Sequence, residues 1–429
     1  MIGELLAAAI PLFPAIGIAA IGVFLSRIAS GFWLNPFSVF VSSWLPMILV
    51  NISGWITFFP MDDWFIFLVG SSGLAFFLGC ISGTKWSPFF GGLSSSPDQE
   101  PVSHLTSHPL RFHRLLHVTG TVALIGFLGF AAAAFWQIGW RGFLVNPAVL
   151  RTAISTETFV DPLKMLNYAN LVFPVFVIIG HITLGGLSRR WWIFAACSAA
   201  TNLLSTGRTK VFWVGLWMFF TYFLSNRRFS SRRTIIFPAI MGILLLLIFS
   251  GMAAWLGKTF SPEEIPLYAS ESPEVLTPVL SSLYYLGTNL PYLQEIVPEK
   301  ISAGLPLGNT LLPFYKALAF LPFDPPLPIP SEILEMKPLP RLANTGTWLV
   351  QWHQDFGITG ILLLPFLIGT ITTRLISREY LPENDPLRLY LGGLLLYLIW
   401  IGFMGNKFLS APTWIFIFLG CPAMVWVRK

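Results

Sequence analysis

The residues of this chain best suited to chemistry lie in residues 344–360, where a polar loop runs into an apolar segment. This stretch contains His353 and Asp355, and imidazole and carboxylate groups are the side chains that most often transfer protons in enzymes. A second stretch, residues 205–210, places Arg208 and Lys210 between two apolar runs. An arginine there either snorkels to lipid phosphates or binds a phosphate carried by a substrate, and both interpretations stay open.

The composition indicates which elements must position these residues. The chain has 429 residues, of which 55% are hydrophobic and only 11% are charged. A water-soluble protein of this size needs a more charged surface, so we predict an all-α polytopic integral membrane protein. Long apolar runs indicate helices rather than strands, because a helix satisfies its own backbone hydrogen bonds in lipid. The three cysteines all lie in apolar runs and form no C-x-x-C motif.

About 11 transmembrane helices are predicted, each from an apolar run of roughly 20 residues. They cover residues 5–24, 37–58, 64–81, 115–136, 165–187, two arms within 191–224, 235–255, 356–376, 387–403 and 408–427. As one helix, residues 191–224 would bury two cations near the bilayer centre, so we predict a hairpin that turns at residues 205–207. The domains are then helices 1–8 in residues 1–255, one large loop in residues 256–355, and helices 9–11 in residues 356–429.

The large loop, residues 256–355, contains 15 of the 33 prolines of the chain. A short helix is predicted at residues 277–292, because Thr277 and Pro278 fit an N-cap and a first helical position. A second short helix is predicted at residues 310–320. Residues 324–330 are too rich in proline for a helix.

The distribution of Lys and Arg predicts the orientation of the spans. If residues 227–233 are cytoplasmic, that side carries 15 basic and 5 acidic residues, and the other side carries 11 basic and 15 acidic residues. The N-terminus and the large loop are then outside, and the C-terminus is cytoplasmic. The net charge of +6 thus reflects membrane topology, and no nucleic-acid partner is predicted.

Motifs of several other function classes are missing from the sequence. The chain has no Walker A loop, no G-x-S-x-G motif and no Asp-x-Asp pair for a metal-bound nucleotide sugar. His104, His108 and His113 lack the spacing of paired metal ligands, so we interpret their segment as a solvated loop. We therefore predict neither a metal nor a cofactor.

Short motifs give the chain a resemblance to a known family. It has Ser-Thr-Gly-Arg at residues 205–208 between two spans, a long exterior loop, Asn-Thr-x-Thr at residues 344–347, and Asp-Phe-Gly-x-x-Gly at residues 355–360. This arrangement resembles bacterial oligosaccharide repeat-unit polymerases, the Wzy-type O-antigen polymerases. The resemblance implies a GT-C-like, metal-independent glycosyltransferase in the bacterial inner membrane. Its donor and acceptor would be glycans linked to undecaprenyl pyrophosphate, with membrane lipid and a chain-length regulator protein as further partners.

The resemblance also implies roles for individual residues. The cations that would bind the leaving pyrophosphate are, in order, Arg208, Arg341, Lys210 and Arg151. The groups that would take the proton of the acceptor hydroxyl are Asp355 and His353. The residues that would contact sugars are Asn344, Thr347, Trp348 and Trp352.

The same residues can also be interpreted as purely structural, without a role in catalysis or binding. Asp355, directly before a Phe-Gly pair, also fits an N-cap of the ninth span. His353 also fits an interfacial position, and for Trp348 and Trp352 we favour the aromatic belt of a membrane protein. Two other functions stay open: an O-antigen ligase-like enzyme that uses the same donor, and a flippase or other transporter of lipid-linked glycans.

Overall fold

The computed structural model describes residues 12–31, 33–53, 61–84, 108–145, 166–204, 208–225, 247, 250–251, 277–296, 337–338, 342–343, 347–377, 384–403 and 405–428. The helices in chain order are α1 (Leu12–Ser30), α2 (Pro36–Ile52), α3 (Asp63–Ser82), α4 (Pro109–Val145), α5 (Ala169–Thr183), α6 (Arg189–Leu204), α7 (Arg208–Ser225), α8 (Thr277–Gly287), α9 (Asn289–Ile296), α10 (Trp348–Ile376), α11 (Pro386–Ile401), α12 (Ala411–Ile415) and α13 (Cys421–Arg428). A 3₁₀ turn (Lys407–Leu409) precedes α12, and a π-helical turn (Phe416–Gly420) joins α12 to α13. Two short strands, β1 (Lys337–Pro338) and β2 (Leu342–Ala343), pair antiparallel with Lys337 opposite Ala343.

Four helices are long and apolar enough to cross a membrane: Leu12–Ser30, Asp63–Ser82, Pro109–Gly129 and Trp348–Ile376. Shorter apolar helices of 10–17 residues accompany them: Pro36–Ile52, Ala169–Thr183, Trp213–Ser225, Pro386–Ile401 and Pro412–Arg428. Large apolar side chains such as Ile18 in α1 and Phe67 in α3 are exposed. Such surfaces are stable against lipid and unfavourable in water. The described part of the chain is therefore that of a helical membrane protein, as the composition predicted.

The hairpin predicted within residues 191–224 is present as two helices. α6 ends at Leu204, α7 begins at Arg208, and the two helices contact each other. The predicted turn at residues 205–207 lies outside the described residues. In the large loop, the helix predicted at residues 277–292 is present as α8 and α9. The helix predicted at residues 310–320 and most of the span predicted at residues 235–255 lie outside the described residues.

Glycines bring α3 and α10 into close contact. A Cβ at Gly79 would meet the Phe366 carbonyl, and a Cβ at Gly369 would lie 2.6 Å from the Phe76 carbonyl oxygen. This approach allows Thr370 Oγ1 to donate a hydrogen bond of 3.1 Å to the Gly79 carbonyl. Membrane helices often pack through small residues, since lipid provides little hydrophobic driving force for their association. The long helix α10 is thus fixed along α3.

Helices α7 and α11 pack antiparallel in the core. Trp217 Nε1 donates a hydrogen bond of 3.2 Å to the Tyr390 carbonyl, and the Trp213 ring stacks on Tyr397 with centroids 5.2 Å apart. The earlier residue of α7 thus contacts the later residue of α11, so the two helices run antiparallel. A Cβ at Gly393 would lie 3.2 Å from the Trp217 ring, so glycine permits the close approach.

A buried polar network joins α4, α5 and α6. Asn170 Nδ2 donates to the Ala123 carbonyl at 2.9 Å, and Asn170 Oδ1 accepts from Ser198 Oγ at 2.8 Å. Asn202 Nδ2 donates to the Asn170 carbonyl at 3.3 Å and to the Ser198 carbonyl at 3.2 Å. Polar groups that are hydrogen-bonded avoid most of the cost of burial. The network fixes the last turn of α6, directly before the segment that leads to Arg208.

Candidate functional site

The helix that carries His353 and Asp355 begins earlier than the sequence predicted, and it is broken. Its N-cap is Thr347, whose Oγ1 accepts a hydrogen bond of 3.2 Å from Leu349 N. Gly357 has φ 62° and ψ −152°, a conformation that is essentially restricted to glycine. The break at Gly357 separates residues 348–356, which we call the first segment of α10, from the apolar remainder of the helix.

The break folds the chain sharply. In a straight helix, residues 352 and 360 would lie about 12 Å apart along the axis, at about 1.5 Å per residue. In this structure a Cβ at Gly360 would meet the carbonyl oxygen of Trp352. The first segment is therefore bent back toward the start of the apolar part. Gly357 supplies the required backbone conformation and Gly360 supplies the space, which explains both glycines of the Asp-Phe-Gly-x-x-Gly motif.

The N-cap role considered for Asp355 belongs to Thr347 at the start of the helix. Asp355 instead lies half-buried inside the helix, two residues before the break. Spacings of three and four residues place Gln351, Gln354 and Asp355 on one face of the first segment. His353 lies about 160° around the helix axis from Asp355, because residues two apart do not face each other. The helix therefore directs the two titratable side chains to different surroundings.

Trp348 and Trp352 are core residues, which corrects the expectation of an aromatic belt. Their side chains are 0% and 3% exposed. The Trp348 ring centroid lies 4.9 Å from that of Trp352, 6.2 Å from that of Phe40 and 5.8 Å from that of Phe408. Both rings thus pack on other aromatic rings rather than on lipid, and neither offers a free face to a sugar in this conformation. Thr347 is also buried, and its hydroxyl is engaged as the helix cap.

The other predicted site residues fall into two groups. Arg208 and Lys210 lie in the first turn of α7, where the backbone is described and the side chains are not. Arg151, Arg341 and Asn344 lie outside the described residues, so their assigned roles stay predictions.

The first segment of α10 meets the carboxyl end of α11. Trp348 N donates a hydrogen bond of 2.8 Å to the Gly402 carbonyl. A Cβ at Gly402 would lie 2.8 Å from the Trp348 ring, so glycine is required for this contact. Asn406 Nδ2 donates to the Trp348 carbonyl at 3.4 Å, which joins the turn after α11 to the same segment.

The start of α7 lies at the same end of the helix bundle. In the antiparallel pair of α7 and α11, Trp213 stacks on Tyr397. Arg208 precedes Trp213 by five residues and Gly402 follows Tyr397 by five, so both lie about 7.5 Å further in the same direction at about 1.5 Å per residue. Two stretches that are more than a hundred residues apart in sequence, around Arg208 and around Asp355, therefore approach the same end of α11.

Lys407, which belongs to no motif of the sequence, lies in the turn that follows α11. Its carbonyl accepts hydrogen bonds from Ser410 Oγ at 2.9 Å and Thr413 Oγ1 at 2.7 Å, so the turn is well held. The side chain is half-buried, and its ammonium has no ion pair or hydrogen bond within the described part of the chain. Burial lowers the pKa of Lys407 below its ordinary value, because the charged form loses hydration. Its sequence signal was only a lone cation between two apolar runs.

Buried polar atoms without partners mark the first segment of α10. Trp348 Nε1, Gln351 Oε1 and His353 Nδ1 make no hydrogen bond within the described residues. Buried polar groups are usually paired, so unpaired ones indicate strain, bound water or a bound molecule. Among the residues that the structure describes, no group of three or more His, Cys, Asp or Glu side chains could hold a metal ion. These atoms can exchange hydrogen bonds with water or with the hydroxyl groups of a bound molecule.

Comparison with known proteins does not assign a function to the chain, so the function is inferred from the residues of this region. The chain matches no protein-family model, no curated protein and no solved structure.

Proposed function

We propose that the protein is a membrane glycosyltransferase that polymerises oligosaccharide repeat units linked to undecaprenyl pyrophosphate into a surface polysaccharide, such as O-antigen, capsule or exopolysaccharide. The observation that carries this proposal is the meeting of three parts of the chain at the carboxyl end of α11: the start of α7, the first segment of α10 and the Lys407 turn. Cations suited to a pyrophosphate and a carboxylate suited to proton transfer then belong to one end of a membrane bundle. A lipid-linked sugar donor requires both kinds of group.

The proposed topology has 11 spans, an exterior N-terminus and a cytoplasmic C-terminus. The carboxyl end of α11 and the large loop then face the outside of the bacterial inner membrane. The Lys and Arg distribution supports this orientation. Contacts at the opposite end support the assignment of the C-terminus and of the loop between spans 9 and 10 to one common side, since Arg388 Nη2 donates to the Ile376 carbonyl at 2.6 Å and Arg428 lies 3.0 Å from Asp385. The loop between spans 9 and 10 must share a side with the C-terminus for these contacts to form.

In the proposed reaction the acceptor hydroxyl oxygen attacks the anomeric carbon of the donor sugar. A glycosidic bond forms, the bond from that carbon to the pyrophosphate oxygen breaks, and undecaprenyl pyrophosphate leaves with the electron pair. Asp355 accepts the proton of the hydroxyl. Arg208, with Arg341 as a second cation, balances the negative charge that develops on the leaving group.

The remaining polar groups of the first segment position the sugars. Gln351 Oε1, on the face of Asp355, and His353 Nδ1, on the other side of the segment, are buried and unpaired within the described residues, so each can accept a hydrogen bond from a hydroxyl of a different sugar. The break at Gly357 sets the direction of these side chains relative to the membrane span. Trp348 and Trp352 act indirectly, because their packing holds the segment in place.

An elongation assay tests the proposal. The full chain is reconstituted in lipid vesicles with a lipid-linked repeat unit, and the products are separated on a glycan gel. We expect a polymer ladder from the wild type and a rate loss of about 100-fold or more from Asp355→Asn and Arg208→Ala, at unchanged protein level. The matched control is Arg189→Ala, because Arg189 is an exposed cation at the amino end of α6, whereas Arg208 follows the carboxyl end of that helix.

Three outcomes would reject the proposal or its residue roles. A normal ladder from both variants removes Asp355 and Arg208 from the reaction. Transfer of the glycan to a different acceptor without elongation favours the ligase-like enzyme. Movement of the lipid-linked unit across the bilayer without any new glycosidic bond favours the transporter.

A further inference from the structure

The turn that carries Lys407 is held more firmly than a surface loop requires. Its carbonyl accepts two side-chain hydrogen bonds, from Ser410 and Thr413. Asn406 ties it to the Trp348 carbonyl, and the Phe408 ring lies against Trp348 with centroids 5.8 Å apart. The backbone of Lys407 is therefore fixed relative to the first segment of α10.

The charge on Lys407 is costly for the fold as it stands. The side chain is half-buried, and burial of an ammonium without a counter-charge is unfavourable. Within the described residues no carboxylate, carbonyl or hydroxyl pairs with it. The carboxylate of Asp385 is occupied elsewhere, since it is bound by Arg428 at the opposite end of α11. A half-buried cation that lies on a rigid turn and has no partner among the described residues is suited to bind an anion from outside them.

We infer that Lys407 binds a phosphate group carried by a lipid, and, if the proposed function holds, that this phosphate belongs to the pyrophosphate of the lipid-linked substrate. The position fits this role, because the start of α7 with Arg208 lies at the same end of α11. A lysine is a flexible point charge that binds phosphate without a fixed geometry. It would therefore follow the pyrophosphate as the donor bond breaks, while Arg208 supplies a planar donor group.

Lysines near a membrane surface also reach lipid headgroups by snorkelling. The chemistry is the same in both cases, since the ammonium pairs with a phosphate oxygen. The two sources differ in what else is recognised, because a substrate site binds an isoprenoid pyrophosphate more tightly than a common anionic phospholipid. A binding experiment with both lipids separates them.

The experiment uses the full chain in detergent, as wild type, Lys407→Met, Lys407→Arg and Arg189→Met. Farnesyl pyrophosphate is the probe, farnesol is the same isoprenoid chain without phosphate, and phosphatidylglycerol represents a common headgroup. Dissociation constants are measured from the quenching of tryptophan fluorescence. We expect the wild type to bind farnesyl pyrophosphate and not farnesol, and Lys407→Met to bind it about tenfold or more weakly. Lys407→Arg keeps the charge and should stay within a few fold of the wild type, and Arg189→Met should not change.

Equal affinity of the wild type and Lys407→Met for farnesyl pyrophosphate overturns the inference. An equal loss for phosphatidylglycerol assigns the group to headgroups and overturns its substrate role. Melting temperatures without ligand show whether each variant is folded, and Lys407→Gln replaces Lys407→Met if the latter is not. Failure of the proposed function is a separate result: Lys407-dependent pyrophosphate binding without any elongation by the wild type keeps the phosphate site and rejects the polymerase.

Discussion

At the amino end of α11, charged side chains are buried and paired, whereas at its carboxyl end Lys407 is half-buried and has no partner among the described residues. Both ends belong to one helix of 16 residues, and both are covered by neighbouring helices. The two ends therefore differ in the pairing of their polar groups rather than in their burial alone.

The amino end is organised around Asp385. Its Oδ1 accepts a hydrogen bond of 3.0 Å from Arg388 N, and its Oδ2 lies 3.0 Å from Arg428 Nε. The second contact is an ion pair that lacks the angle of a hydrogen bond. Arg388 is 0% exposed and donates to the Ile376 carbonyl at 2.6 Å. These contacts join the end of α10, the start of α11 and the end of α13, and so stabilise the fold.

The carboxyl end of α11 lacks comparable pairing of its polar groups among the described residues. Lys407, Gln351 Oε1 and His353 Nδ1 have no partner among the described residues, and the two atoms lie in the segment that ends at a helix break supported only by glycine. Unpaired buried groups reduce stability, and proteins retain them mainly where function needs them. The comparison therefore separates a region that stabilises the fold from a region that lacks this stabilisation and that we propose to bind substrate.

The largest effect should come from Arg388→Ala. The change removes a fully buried guanidinium and leaves the Ile376 carbonyl without this donor. A buried acceptor left without its donor costs about 1–3 kcal/mol, and the cavity left by so large a side chain adds to this loss, so we expect little folded protein. Size-exclusion chromatography and melting temperature in detergent measure the loss. Arg189→Ala, at an exposed position, is the control, and a normal melting temperature for Arg388→Ala would contradict the scaffold role of the amino end.

Gly357→Ala should have the next largest effect. The backbone of Gly357, with φ 62° and ψ −152°, costs a residue with a Cβ about 1–3 kcal/mol. We expect a lower melting temperature and, because the first segment is displaced, a larger loss of elongation than of stability. Gly17→Ala is the control, since a Cβ there meets no atom within 4 Å and Gly17 is in an ordinary helical conformation. Full elongation by Gly357→Ala would show that the break does not position the site.

Hydrophobic periodicity and length predicted the helical membrane fold, because lipid permits few other structures. The split of residues 191–224 into α6 and α7 was also predictable, since one helix would have buried two cations. The start of α10 at Trp348 could not be predicted from the sequence. Trp348 and Trp352 resemble belt residues in sequence, and only their packing on Phe40 and Phe408 makes them core.

The sequence indicated which residue types the site contains, but it did not indicate their burial, orientation or partners. The stretch with His353 and Asp355 could be found from its polar residues beside a span, yet the direction of each side chain depends on the break at Gly357. Arg388 belongs to the span predicted at residues 387–403, yet nothing in the sequence indicates that it is fully buried, because its neighbours come from distant helix ends. Lys407 resembled any exterior charge, since its lack of a partner among the described residues is a property of three-dimensional packing.

A smaller effect with a distinct pH dependence is expected for Lys407→Met. Burial lowers the pKa of Lys407 below 10.5, so below that lowered pKa the buried charge reduces the stability of the wild type. Between the lowered pKa and 10.5 the folded state releases the proton first, and the wild type gains stability. We therefore expect Lys407→Met to melt higher at neutral pH, with the difference shrinking as the pH approaches 10.5. A lower melting temperature for Lys407→Met at neutral pH would mean that Lys407 is paired and structural.

The smallest effect is expected for Arg428→Ala, although Arg428 forms an ion pair at the amino end of α11. Its side chain is 25% exposed whereas that of Asp385 is 0% exposed, so water screens the pair from one side only, and the loss should lie at the upper end for surface pairs, about 1 kcal/mol. Asp385 keeps its hydrogen bond from Arg388 N in this variant, whereas Asp385→Ala removes both interactions and should lose about 1 kcal/mol more. Melting temperatures of the two variants test this order. If Arg428→Ala were as damaging as Arg388→Ala, the docking of α13 would depend on a single exposed contact, and the amino end would be a movable element rather than a scaffold.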